Sequence, residues 1–249
     1  MFFANWPAPE SVKTIQTTRF GGVSQPPFNS LNLGTHVGDN LDCVKQNRAL
    51  INAPGSICWL EQVHGQEAIE LPSQTNLAYP PQADAVYTCS PNQVCAVMTA
   101  DCLPVLLTDS EARFVAAVHC GWRGLASGIL TKTLTTIISK TKSPLTQIIA
   151  WLGPAIGPLK FEVGDEVRQC FIEKNLAYQN CFIQSSALKP HHKWLANIYK
   201  LAEIELNQLG VIQIYSDYEC TMNQPEDYFS YRRDGQTGRQ ASLIWLQDN

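Results

Sequence analysis

Two apolar runs separated by a short polar turn constrain this chain more than any other feature. Leu103–Thr108 and Arg113–Val118 are each bounded by polar residues, as short buried strands are. Paired as a hairpin, they lay the start of one beside the end of the other. Asp101 and Cys102 precede the first run, and His119 follows the second. The pairing therefore predicts that Cys102 and His119 are neighbours. A third ligand-type residue, His64, stands in Trp59-Leu-Glu-Gln-Val-His-Gly65. The rest of the chain reads as scaffold and pocket around these three.

Composition narrows the class. The 249 residues are 45% apolar and 16% charged, enough for a sizeable core in one large domain or two small ones. Net charge is −4 and no Lys/Arg run stands out, which argues against a nucleic-acid surface. No apolar run approaches the ~20 residues that span a bilayer. The N-terminus lacks a basic segment followed by an apolar stretch, so a cytoplasmic protein is expected. Nine cysteines at irregular spacings, with no Cys-x-x-Cys, make a disulfide framework unexpected. Apart from Cys102 they read as small buried hydrophobes.

Along the chain, Val12–Thr18 reads as a strand leading into Thr18-Arg-Phe-Gly-Gly-Val-Ser24. The two glycines allow backbone N–H groups close to an anion, and Arg19 supplies a charge for it; a plain turn is the alternative. A long irregular segment carrying His36 follows, with His36 read as a solvated loop residue. A helix is expected over Cys43–Ile51, capped by Asp42. Strands are expected over Ile57–Val63, Glu67–Leu71, Asp84–Thr88 and Val94–Thr99, with a loop over Pro72–Pro81. Gly121-Trp122-Arg123-Gly124 forms a strand-to-helix turn, and Leu125–Ser139 has a helical apolar period. The N-terminus of that helix, with Arg123, suits a phosphate; a surface position for Arg123 is the alternative. Thr141–Ser143 is too short for a domain linker. Thr146–Leu152 is a strand, and Phe161–Val163 precedes a helix over Gly164–Glu173. Asn175–Ala187 is mixed, and His191-His192 reads as a solvent-exposed pair. Leu195–Leu209 reads as an amphipathic helix closed by Gly210. Val211–Tyr215 and Ala241–Leu246 are strands. Between them, Tyr228–Gln240 is rich in aromatic residues, Arg and Gly, and suits a flat, charged ligand.

Two imidazoles and one thiolate from His64, Cys102 and His119 suit zinc, with a fourth position left for water or substrate. Such a site acidifies bound water and makes it a nucleophile. The same ligand types also describe a blue-copper centre, and the sequence spacings match no short zinc signature. Without metal, Cys102 is a nucleophile activated by His119, with Asp101 as an orienting or acid–base group, giving a thiol amidase. A multicopper site needs more imidazoles than the five histidines present.

Taken in order, Thr18–Ser24, Leu31–Asp39, Trp59–Gly65, Ala83-Asp-Ala85, Thr99-Ala-Asp-Cys-Leu-Pro-Val-Leu-Leu-Thr-Asp109, Val118-His-Cys-Gly-Trp-Arg-Gly124, Gly153–Gly157 and Tyr231–Arg239 resemble the YfiH/laccase-domain family. The resemblance spans nearly the whole chain. It departs at Cys120, where Ala is usual, putting a second thiol beside the site. It implies one α+β domain over residues 1–249, with layered mixed β-sheets and flanking helices, related to deamidating toxin domains. It also implies zinc held by His64, Cys102 and His119, with copper as the second choice. The implied activity is phosphorolysis of purine nucleosides (adenosine, inosine, guanosine, methylthioadenosine), with adenosine deamination. Family labels also include a peptidoglycan-editing amidase and a polyphenol oxidase. On the phosphorylase reading, Arg19 and Arg123 contact phosphate, joined by Arg232 or Arg233, and Asp101 shuttles protons. Purine nucleoside and phosphate are the expected partners, with no nucleic acid or membrane, in a monomer or small homo-oligomer.

Overall fold

The computed structural model describes residues 1–72, 79–184 and 193–248. Chain order is β1 (Val12–Gln16), α1 (Leu41–Ala49), β2 (Ile57–Cys58), β3 (Ala68–Leu71), β4 (Ala85–Thr88), β5 (Val94–Thr99), β6 (Leu103–Asp109) and β7 (Val115–Cys120). Then come α2 (Trp122–Ser127), α3 (Ile129–Thr141), β8 (Ile148–Leu152), β9 (Glu162–Gly164), α4 (Asp165–Ile172), β10 (Phe182–Gln184) and β11 (Lys193–Ala196). The chain ends with α5 (Ile198–Leu209), β12 (Gln213–Ser216), α6 (Tyr231–Asp234) and β13 (Gln240–Leu246).

The organising hairpin is at the centre. β6 pairs antiparallel with β7, and Pro104 lies opposite His119. These two strands are the middle of a six-stranded sheet ordered β12-β8-β6-β7-β4-β3. A four-stranded sheet, β1-β13-β5-β2, lies against one face, and a three-stranded sheet, β10-β11-β9, completes the domain. This is the layered α+β architecture expected.

Alternation along the strands separates the layers. Val105 and Leu107 face a core shared with α3 and α5, whereas Leu106 faces the second sheet. On β7, Ala116, Val118 and Cys120 take the helix side, and Val115 and Ala117 the sheet side. His119 therefore projects toward the four-stranded sheet, while Cys120 is sealed in the helix-side core. The second thiol does not open beside the site. Strands covered on both faces read as continuous apolar runs, and β6 and β7 are buried at every position.

Several expected boundaries move, each for a local reason. The strand from Ile57 stops at Cys58. Beyond it, the Gln62 carboxamide donates to Met98 O and accepts from Met98 N, both at 2.8 Å, in place of a backbone ladder. The helix expected over Leu125–Ser139 starts at Trp122 and breaks at Gly128, whose φ of +84° is left-handed. Glu205 of α5 caps the new start by accepting from Thr131 N and Oγ1. Leu195 belongs to a strand, because Trp194 and Leu195 pair with β9 and β10. α5 begins only at Ile198, after the Asn197 cap, and ends at left-handed Gly210 as expected. Asn40, two residues earlier than expected, caps α1, and Asp42 sits in its first turn.

The long segment before α1 is held by a polar knot. Asn47 Nδ2 donates to Ser24 Oγ, Ser30 O and Asn32 O, while Ser24 and Asn32 both donate to Asp39. Buried backbone polar groups need such partners, and the knot fixes the loop that carries His36. No helix is long and apolar enough to cross a membrane among the described residues. His191-His192 and parts of the Pro72–Pro81 and Asn175–Ala187 segments lie outside them.

Candidate metal centre

The hairpin delivers two of the three ligand-type residues, and the turn after Gln62 delivers the third. The donor atoms of His64, Cys102 and His119 lie within 4.8 Å of one another. Cys102 Sγ is 3.8 Å from His64 Nε2. A tetrahedral zinc with bonds of about 2.0–2.3 Å puts neighbouring donors about 3.3–3.7 Å apart. The donor set thus needs only a small inward adjustment to hold the ion. His119 is buried, Cys102 half-buried and His64 exposed, so the cluster is closed behind and open in front.

Asp84 organises the closed side. Its Oδ1 is 2.8 Å from His119 Nδ1, which leaves His119 Nε2 toward the cluster. The same carboxylate accepts from the backbone N–H groups of Val63, His64 and Gly65. One buried acid therefore orients His119 and fixes the turn that presents His64. Burial opposes ionisation of Asp84, but the His119 bond and these N–H donors outweigh it and lower its pKa. Carboxylate–imidazole pairs of this kind orient metal ligands and set their tautomer.

Burial also opposes charge on Cys102 and His119, yet each stabilises the other. The facing His119 imidazolium and the bonds from both imidazoles bring the Cys102 thiol down to about 6. The Cys102 thiolate and Asp84 bring His119 up to about 9. The pairing favours the thiolate, the form that binds metal or attacks an electrophile. The backbone around it is strained. Asp101 has φ +94° and His64 has φ +59°, both left-handed. Gly121 is equally constrained: a Cβ there would stand 2.7 Å from His64 Cδ2 and 3.3 Å from Cys102 Sγ.

The open side leads into two cavities that share His64, Ala100, Cys102 and Tyr231. The larger, about 430 Å³, is lined by Trp122, Phe161 and aliphatic side chains together with Arg123, Arg232, Asp101 and Glu166. The Arg123 guanidinium lies 4.4 Å from the Trp122 ring centroid, and the Arg232 guanidinium 5.7 Å from that of Phe161. The smaller, about 360 Å³, includes His36, Gln62, Thr99 and Arg239.

Among the expected anion-binding residues, Arg123 and Arg232 line the larger cavity, and Arg19 and Arg233 line neither. Arg19 donates to Asn29 O and Pro225 O. Arg233 donates to Thr221 O and Tyr228 O and pairs with Asp234. These two arginines brace the loops around the site. Asp101 lines the larger cavity, and its carboxylate accepts from Thr221 Oγ1 and Arg232 N, both at 2.6 Å. Asp84 was not read from the sequence as an orienting acid, whereas Arg239 belongs to the Tyr228–Gln240 stretch expected to line a pocket and does line the smaller cavity, and His36, expected to be solvated, is exposed at the wall of that cavity. The signal for Asp84 was Ala83-Asp-Ala85, a lone acid between apolar residues.

Residues 13–247 match the family model described as multi-copper polyphenol oxidoreductase laccase. The chain belongs to this YfiH/laccase-domain family. A Shigella flexneri relative named purine nucleoside phosphorylase YfiH is 48% identical over 97% of this chain and 96% of its own. A Haemophilus influenzae relative named purine nucleoside phosphorylase is 47% identical over 98% of both. The crystal structure of a Neisseria meningitidis protein superposes with a TM-score of 0.92 at 43% identity, covering 99% of each chain. That of Bacillus licheniformis YfiH gives 0.84 at 30% identity, over 95% of this chain and 93% of its own. The family fold is thus the layered α+β domain described above.

Proposed function

We propose that this member of the laccase-domain family is a zinc-dependent purine nucleoside phosphorylase that also deaminates adenosine. The observation that carries the reading is the His64–Cys102–His119 cluster, closed behind by Asp84 and open in front onto an aromatic, arginine-lined cavity. The names of relatives at 43–48% identity supply the substrate class. Zinc bound at the cluster would supply Lewis acidity and acidify a water.

The chain's own residues account for binding and proton handling. Trp122 and Phe161 offer flat apolar faces for a purine, each backed by a guanidinium. Arg123 and Arg232 stand where negative charge on phosphate or a departing base would be stabilised. Asp101 is the proton carrier for deamination, with the Thr221 hydroxyl and Arg232 N–H setting its orientation.

A second reading rests on the same geometry. Cys102, His119 and Asp84 form a nucleophile–base–orienter series, and the lowered Cys102 pKa fits an amidase acting on a peptidoglycan precursor. Chelation separates the two. The zinc enzyme loses adenosine turnover on dialysis against a chelator and regains it with zinc. Turnover that survives chelation and stops on thiol alkylation would replace the first reading with the second. Copper, the further expectation from the family label, is tested by metal analysis of the purified protein and by oxygen uptake.

A further inference from the structure

The smaller cavity differs in charge from the larger. Asp101, Glu162 and Glu166 line the larger one beside its basic residues. Among the described residues no carboxylate lines the smaller one, which continues outward past Gln236 and Thr237. We propose that this smaller lobe is the subsite for the phosphate co-substrate, with Arg239 as its principal cation, in place of the arginines of the larger cavity. The assignment rests on the phosphorylase reading.

Arg239 is placed for the task. Gly34 leaves room for its stem, since a Cβ there would stand 2.8 Å from Arg239 Cγ. Its backbone N donates to Asn32 Oδ1 and its carbonyl accepts from Leu33 N. Nη1 donates to Thr237 O and Gly238 O. Nε and Nη2 meet no acceptor among the described residues, and that edge can grip an oxyanion in a bidentate manner. Arg239 has no ion-pair partner there either, and burial lowers its pKa, so an arriving anion meets a desolvated cation. Thr99 lines the lobe and Thr237 its outer extension. Each is almost wholly buried, and neither Oγ1 has a hydrogen-bond partner among the described residues. Partial desolvation, with the charges of Arg239 and Arg48, keeps the exposed His36 below its ordinary pKa, so its imidazole can donate without adding charge.

The two cavities meet over the ligand cluster, which suits an in-line displacement. With the purine in the larger cavity and phosphate in the smaller, the ribose lies between them. A phosphate oxygen forms the bond to the anomeric carbon as the bond to the purine nitrogen breaks. The electron pair leaves on the purine, which takes the proton that hydrogen phosphate gives up. The products are ribose 1-phosphate and free base.

The test is titration of inorganic phosphate into zinc-loaded full-length protein by calorimetry, without nucleoside, alongside steady-state phosphorolysis of adenosine. Arg239→Met weakens phosphate binding by about tenfold or more and raises the phosphate KM in parallel, with the adenosine KM little changed. Arg239→Lys restores part of the binding. Thr237→Val, a milder change, gives a smaller loss in the same direction and guards against misfolding of the first variant. Wild-type phosphate binding and KM in folded Arg239→Met, with losses in Arg123→Met or Arg232→Met, would overturn the subsite. If wild-type protein binds phosphate in an Arg239-dependent way but converts no adenosine, the phosphorylase reading fails and the anion site stands. Adenosine monophosphate titrated in parallel separates sources. If the nucleotide binds more tightly than free phosphate and Arg239→Met abolishes that preference, the lobe holds a nucleotide phosphoryl group and the assignment to free phosphate is wrong.

Discussion

The residue on which the site depends most is Asp84, which binds nothing itself. It spends one carboxylate on the His119 ring and on three consecutive backbone N–H groups. Asp84→Asn keeps the shape but removes the charge and the fixed tautomer, and zinc affinity falls about 10–100-fold, measured by competition with a chromogenic chelator. The thiolate–imidazolium pair gives a second expectation. In metal-free protein, the alkylation rate of Cys102 rises with pH through about 6, because ionisation is promoted from the ordinary value of 9.0. Zinc loading suppresses that reaction, and an alkylation midpoint near the ordinary value would rule the pair out. The three ligand-type residues were legible in the sequence because their side chains carry the chemistry whatever surrounds them. Asp84 was not. Its role comes from contacts with Val63–Gly65 and with His119, and only the folded turn assembles them.

Secondary-structure elements explain how so open a cluster keeps its geometry. The β6–β7 hairpin sets Cys102 against His119, and α2 begins at once after Gly121. Gly121 has φ −70°, which any residue can adopt, so Gly121→Ala tests space alone. The added methyl group pushes on His64 and Cys102. Zinc stoichiometry in the purified variant drops while the circular dichroism spectrum stays native. Full zinc occupancy in Gly121→Ala would show that the ring has slack. The hairpin was readable because continuous apolar runs leave little choice but buried strands. The split at Gly128 was not, because the apolar period continues across it and Glu205, distant in sequence, supplies the new cap. The loss of Leu195 from the helix to a strand has the same origin: pairing with β9 and β10 overrides a local helical pattern.

At the scale of the whole molecule, the two larger sheets form a platform with the ligand cluster at one end of their shared interface. Leu106, 1% exposed, faces the second sheet from the central strand. Leu106→Ala leaves a cavity between the sheets and costs about 2–5 kcal/mol, read by guanidinium unfolding at constant zinc. The architecture was legible from the order of runs and from the resemblance of whole motifs. The division of the open side into two cavities was not, since residues from Leu31–Asp39, Tyr231–Arg239 and Phe161–Val167 meet only after the loops close. On the function proposed above, this platform turns over purine nucleosides through the His64–Cys102–His119 cluster. Chromatography of adenosine incubated with zinc-loaded protein, with and without phosphate and beside Cys102→Ala, tests it most directly. Adenine and ribose 1-phosphate are expected only with phosphate, inosine with or without it, and neither reaction in the variant. Adenosine left unchanged by the wild-type protein under every condition, or equal turnover by Cys102→Ala, would contradict it.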